Sequence, residues 1–546
     1  MKITGRKFGA VLLAIGVVLV LTACGQTKKS QDKQTLNLSA TAPLPTIDIS
    51  KSTGYGQTGN VFESFFRLGA NGQTEPGLAK SATVSKNGLT WTFKLRDAKW
   101  SNGDRITAQD FVYSWRRTIN PATKSQYAYL FNGIKNASKI NAGKASPNTL
   151  GIKALNSRTV VVSLDKPMTY FKVLMAYPLF APQNQRVIKK YGKKYATKSE
   201  YMVYSGPFKI QHWNGTGNKW QFVKNPNYWD AKVVKLKKVN FTVVADPGTG
   251  LDLYQRDKLD LTPLANQQVK NYKNDKAFKE YPYSYVSFLK YNLRDSNATL
   301  RKAFNNRNIR LALSLALNRQ ALTEKVLGDG SETPTGFVAS GLATDPKTGV
   351  DFSKQQAVKN TVNYNVKLAK ADWQRGMRKI GAKNLHFTLL AGADQTVTSP
   401  LTQYLKGQWE KELPGLTVDI KTMATQQIAY QSAAKGDFDV LISGWGADFN
   451  DPISFLQIPM SGTSYNFGHY RNEAYDRLVN RAVNTDANNP EKRWQDLVSA
   501  AKIFNADQGM TPLYQQVTAY LQRSDVHGIV HNTAGTQWSY KTAYIK

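Results

Sequence analysis

Residues 385–442 read LHFTLLAGADQTVTSPLTQYLKGQWEKELPGLTVDIKTMATQQIAYQSAAKGDFDVLI. Strand-like runs at Leu385–Leu390, Leu416–Ile420 and Phe438–Ile442 alternate with helical stretches that end before Pro414-Gly415 and at Gly436. Strands alternating with helices predict βαβ units and a parallel sheet. Ligands of open α/β sheets sit beyond the carboxyl ends of the strands, where the connecting loops fan apart. Position therefore makes Ser443-Gly444-Trp445-Gly446-Ala447-Asp448-Phe449-Asn450-Asp451-Pro452 the leading binding candidate. Gly444 and Gly446 admit a ligand backbone, Trp445 offers an apolar wall, and Asp448 places one negative charge in a basic protein. The competing reading is a solvated turn with a structural tryptophan.

Working outward, a helix carrying Leu311, Leu315, Leu322 and Val326 is predicted to end at Gly328, and another, Asn365 to Ile380, at Gly381. Each has the glycine stop of a helix C-terminus. From Gly206 to about residue 285 strands dominate, among them Trp220–Val223 and Val239–Val244. Residues 57–204 read as an α+β module. There Leu89, Trp91, Phe93 and Leu95 alternate as on a half-buried strand, and Ser101–Asp104 makes a turn. Thr107 with Asp110 caps a helix carrying Phe111, Trp115 and Ile119, which stops at Asn120-Pro121, and a further strand is predicted from Thr159 to Leu164.

The chain's 546 residues allow several domains, and 23 Phe, 27 Tyr and 11 Trp are too many for a chain lacking apolar surface to bury. One cysteine excludes an intramolecular disulfide and any zinc site built on several thiolates. That cysteine ends Leu21-Thr22-Ala23-Cys24, after Lys2, Arg6, Lys7 and an uncharged run from Phe8 to Ala23. The run is too short and wrongly flanked for a membrane span and reads as an export signal, residues 1–23. Its end resembles the lipobox of bacterial lipoproteins, which implies lipid on Cys24 and a flexible tether, residues 24–34. The net charge of +35 is spread in short lysine clusters without an arginine-rich arm. An exported, anchored protein does not meet the genome, so the charge is assigned to a solvated surface and not to nucleic acid.

No HExxH, Walker-type or G-x-S-x-G motif is present, and no paired carboxylates stand out. His212, His386 and His469 are isolated, and His527 and His531 are separated by Gly528, so no metal is predicted. Gly54-Tyr55-Gly56-Gln57-Thr58-Gly59 matches G-x-G-x-x-G, but Pro43 and Pro45 separate it from the preceding strand, and Glu75-Pro76 lies in a turn. The loop is read instead as a place where a ligand backbone can lie.

Three segments together resemble the extracellular solute-binding proteins of peptide ABC importers, the oligopeptide-binding family. They are Trp91–Asp104 running into Asp110–Trp115; Ser205–Phe208 with Lys224–Trp229; and Arg310–Arg319. With the 444–452 loop, the likeness spans nearly all of the chain after the signal. It implies a two-lobed, hinged, type II periplasmic-binding-protein-like fold combining α/β and α+β parts. Lobe I would hold 35–56, 205–285 and 515–546, a side module 57–204, and lobe II 286–514, with hinges near Leu289–Asn292 and Pro512–Gln515. It further implies that Asp448 pairs with a peptide's α-ammonium, with Gly54, Tyr55, Gly444, Trp445, Gly446 and Tyr514 as other candidate peptide contacts.

The implied protein is a non-catalytic, monomeric receptor without cofactor. It would be lipid-anchored on the outer face of the bacterial cytoplasmic membrane and hand oligopeptides to the permease subunits of an ABC transporter. Some relatives grip a short peptide's carboxylate with ionic side chains; the aligned positions here, Leu289, Thr398, Ala433 and Ile442, carry no charge, so longer peptides are expected to be preferred. Other family cargoes (signalling peptides, haem, nickel complexes), a basic surface adhesin and a secreted hydrolase are the competing readings.

Overall fold

The computed structural model describes residues 34–52, 55–394 and 397–546. The signal, Cys24, all of the tether except Gln34, and Gly54 lie outside the described residues. Among the described residues, one mixed sheet of ten strands runs through the molecule. Its spatial order is Leu416–Met423, Leu385–Gly392, Val440–Gly446, Phe278–Tyr291, Met510–Gln522, Leu261–Pro263, Thr35–Ala40, Lys238–Val243, Lys219–Lys224, Phe208–Gln211.

The βαβ reading holds at the first end of this sheet. Leu385–Gly392 pairs in parallel with both Leu416–Met423 and Val440–Gly446, and helices Thr398–Glu412 and Gln426–Ala434 make the crossovers. Leu385, Phe387, Leu389, Val418, Val440 and Ile442 bury alternate side chains of these strands in one cluster, and Leu390 and Leu441 pack with Ala429 and Ala433 of the second crossover helix in another.

Two long strands stitch the halves together. Phe278–Tyr291 and Met510–Gln522 pair antiparallel along most of their length. Their register slips between Pro282 and Val286 and again between Ser287 and Phe288, where Leu513 is left out of the ladder. Bulges of this kind bend a strand and raise its local twist. Leu289 and Asn292, by contrast, are built into the core, Leu289 paired with both Thr511 and Ile442.

The 57–204 segment carries its own antiparallel sheet, ordered Ala79–Val84, Thr90–Leu95, Thr159–Ser163, Ile152–Asn156. Helix Ala108–Ile119 has the predicted capping box, the Thr107 amide donating to Asp110 Oδ2 at 2.8 Å. Phe65 is sandwiched between Phe93 and Phe111, ring centroids 4.0 and 4.1 Å away. Trp91 is only half-buried and lies against Phe171, so the alternation predicted for this strand weakens at its start.

The helix expected through Leu311–Val326 is broken instead. Arg307–Leu315 stops, and the chain restarts at Arg319 and continues as a π-helical turn, Leu322–Leu327, before Gly328 at φ +60°. The cause is tertiary. Arg319 is buried and its guanidinium donates to the carbonyls of Ser314, Val362 and Pro512 at 2.7–2.9 Å, while Asn318 caps the restart through the Ala321 amide.

Candidate functional site: a cavity between the halves

Strand Val440–Gly446 delivers the candidate loop next to the long strand, with Gly444, Trp445 and Gly446 opposite Ser287, Val286 and Tyr285. The loop is then fixed by its own hydrogen bonds. The Ala447 amide donates to the Ser284 carbonyl and the Asp448 amide to Ser454 Oγ, while Asp451 accepts from the Ile453 amide. Arg493 closes the loop from behind through two hydrogen bonds to the Asp451 carboxylate, at 2.8 and 2.9 Å.

The glycines have a reason the sequence did not reveal. A side chain at Gly444 would run into the Tyr285 ring, and one at Gly446 into Tyr283, so the space above both is already taken by tyrosines of the neighbouring strand. Gly444→Ala is expected to destabilise the fold by about 1–3 kcal/mol through overpacking. The urea midpoint reads this directly, and an unchanged midpoint would contradict it.

These residues border a cavity of about 260 Å³, just below the usual range for a ligand pocket. Gly444, Trp445, Gly446 and Asp448 line one wall, Tyr283 and Tyr285 another, and Tyr127 and Tyr129 of the side module a third. Tyr430, Ser443, Tyr465, Phe467 and Lys290 also line it. Asp448 is 7% exposed. Tyr129 Oη donates to Asp448 Oδ2 at 2.7 Å, and no cation of the described residues forms an ion pair with it.

Burial pushes the Asp448 carboxyl up to about 7, outweighing the lowering effect of the Tyr129 hydrogen bond. Conversely, burial and the Asp448 charge raise the hydroxyl pKa values of Tyr127, Tyr129 and Tyr177, which stay neutral. A buried carboxylate without a counter-charge costs stability, and an aromatic surround attracts cations. The Trp445 indole N–H is likewise buried without an acceptor. The arrangement can hold an ammonium next to a peptide group.

The remaining candidates divide. Tyr55 stands one layer back: its hydroxyl is bonded to the Ile49 carbonyl at 2.6 Å and its ring packs edge-on against Tyr127, 5.2 Å away. Tyr514 sits beside Ser287, Ser443 and Tyr285 at a separate void of about 20 Å³. Leu289, Thr398, Ala433 and Ile442 are all buried. Sequence reasoning missed Tyr127, Tyr129, Tyr465 and Lys290. For the long strand a signal existed, Tyr281, Tyr283 and Tyr285 recurring at every second residue. Among the described residues no cluster of His, Cys, Asp and Glu is arranged to hold a metal ion.

Residues 73–467 match the family model of bacterial extracellular solute-binding proteins, family 5. The chain belongs to this family, the solute-binding proteins of peptide ABC transporters. It is 35% identical to a dipeptide-binding protein of Lactococcus lactis subsp. cremoris, over all of this chain and 99% of that one. It is 30% identical to the oligopeptide-binding protein OppA of Bacillus subtilis, over 99% of this chain and 100% of that one. The structure of Listeria monocytogenes OppA bound to peptide superposes with a TM-score of 0.81 at 35% identity, covering 94% of this chain and 99% of that one. That of the pheromone receptor PrgZ superposes at 0.81 and 34%, covering 94% and 100%. The solute-binding protein thus has the two-lobed type II fold of mixed α/β sheets. No helix of its described residues is long and apolar enough to cross a membrane.

Proposed function

We propose that this solute-binding protein captures extracellular peptides in the cavity between its lobes and delivers them to the permease of an ABC importer, held at the membrane by lipid on Cys24. It changes no covalent bond in its cargo. The observation that carries this reading is Asp448, a buried carboxylate that lines the cavity, is ringed by tyrosines and lacks a cation. Its complement is the α-ammonium of a peptide. Backbone hydrogen bonds then hold the peptide whatever its side chains. The likeness to a pheromone receptor favours signalling peptides as a second cargo class.

In this reading lobe I comprises 35–56, 205–285 and 515–546, the side module 57–204, and lobe II 286–514. The long strands cross between the lobes, and the register slips at Pro282–Phe288, beside Pro512–Gln515, are the pivot. The molecule acts as a monomer, and its basic surface faces anionic envelope polymers and lipid.

A pH series tests the role of Asp448. With its folded pKa near 7, the free protein holds a proton there at pH 5–6 that must leave before an ammonium can pair. Affinity for a C-amidated peptide with a free amine and uncharged side chains is therefore expected to rise about tenfold per unit from pH 5 to 6 and to level off near 7. It falls again above the peptide amine's own value of about 7.7–8.0. Calorimetric titration from pH 5 to 9 measures this profile, and a flat one would remove Asp448 from the role.

A further inference from the structure

We propose that Lys290 forms a carboxylate-recognising subsite in the same cavity, so that this receptor selects peptides presenting an anionic group beyond their N-terminus. The inference rests on the peptide-receptor reading above and assigns the cavity's second charge. Lys290 lies within the long strand, 3% exposed, and its side chain lines the cavity together with Ser443, Tyr430 and Tyr465. Its ammonium donates one hydrogen bond, to the Tyr465 carbonyl at 2.7 Å, and stands 4.5 Å from the Phe467 ring centroid. An ammonium has three donors, and no carboxylate of the described residues makes an ion pair with this one.

Lys290 and Asp448 are linked through Tyr465, whose backbone carbonyl takes the Lys290 ammonium and whose ring packs against Tyr129, the partner of Asp448. One cavity therefore presents an acid and a base without ion-pair partners, both linked to Tyr465. A buried charge without a counter-charge is costly, and an arriving anion would relieve that cost here. Burial also draws the Lys290 ammonium down to about 7, which an incoming carboxylate would reverse. The four uncharged positions, Leu289, Thr398, Ala433 and Ile442, supply no competing cation.

A ligand carboxylate can come from an acidic side chain or from the C-terminus of a short peptide. Calorimetric titration at pH 6.5 separates them. In one arm, glutamate replaces alanine at each of positions 2 to 4 of pentaalanine amide, with glutamine controls; in the other, di- to tetra-alanine acids are compared with their amides. In at least one arm the carboxylate is expected to tighten binding about tenfold or more, and the gain to vanish in Lys290→Met. The arm that responds names the source. Equal carboxylate gains in wild type and Lys290→Met, or none in wild type, would overturn the subsite. Lys290→Gln and the melting temperatures of both variants exclude misfolding. N-acetylated peptides, run alongside, report on Asp448: discrimination against them in Lys290→Met upholds the receptor reading whatever becomes of the lysine, and its loss in wild type overturns the ammonium site itself.

Discussion

Asp448→Ala is expected to weaken peptides with a free N-terminal amine by about 2–5 kcal/mol, some 30-fold to several thousand-fold, and N-acetylated peptides far less. The size follows from the burial. In the complex the peptide ammonium would be enclosed by Tyr127, Tyr129 and Tyr465, so removing the carboxylate strands a charge out of reach of water. Asp448→Asn should lose nearly as much, because it keeps the acceptor for Tyr129 but not the charge. The ligand-free proteins should behave in the opposite way. A carboxyl whose folded value lies near 7, above the ordinary value of about 4, lowers stability progressively as pH rises between those limits. At pH 8 ligand-free Asp448→Asn is therefore expected to melt above wild type, a gain in stability with a loss of function. Equal affinity losses for free and acetylated peptides would mean that Asp448 holds the loop and not the ligand.

Arg493→Met is expected to cost about 3–5 kcal/mol of stability, because it leaves the Asp451 carboxylate buried and unpaired. The pair is two-pronged and enclosed, and Tyr170 stacks on the adjacent Phe449 with ring centroids 4.9 Å apart. Asp451 also caps the turn that begins at Ile453. Peptide affinity should fall together with the urea midpoint, since Asp448 lies three residues before Asp451 in the same loop. Replacing both partners, Asp451→Leu with Arg493→Met, should recover much of the stability, because an apolar pair leaves no stranded charge. A single variant as stable as wild type would show that water reaches this pair.

The parallel half of the sheet was legible because its information is local. Apolar runs of strand length, glycine stops and the Asn120-Pro121 break act within a few residues, and the structure places strands at Leu385, Leu416 and Val440 accordingly. The loop bearing Asp448 followed from the strand before it. What the sequence hid depends on contacts between distant residues. Tyr129 reaches Asp448 across 319 positions, and no local pattern marks it. Arg319 breaks a helix that its own periodicity favours, because the carbonyls it binds include those of Val362 and Pro512. Gly444 and Gly446, expected in the loop, end the strand instead, and Tyr283 and Tyr285 occupy the room they looked to leave for a ligand. Lys290 stands between Leu289 and Tyr291 in a strand buried along this stretch, and its oddity was visible; which cavity it lines was not.

The most direct test is the distance from a bound peptide's terminal nitrogen to the nearest Asp448 carboxylate oxygen, in a crystal structure of the complex with an unblocked tripeptide. The account predicts about 2.7–2.9 Å, the length of a charge-assisted hydrogen bond, with the peptide lying between the lobes. A nitrogen left in solvent more than about 4 Å from that oxygen, beyond ion-pair range, would contradict it.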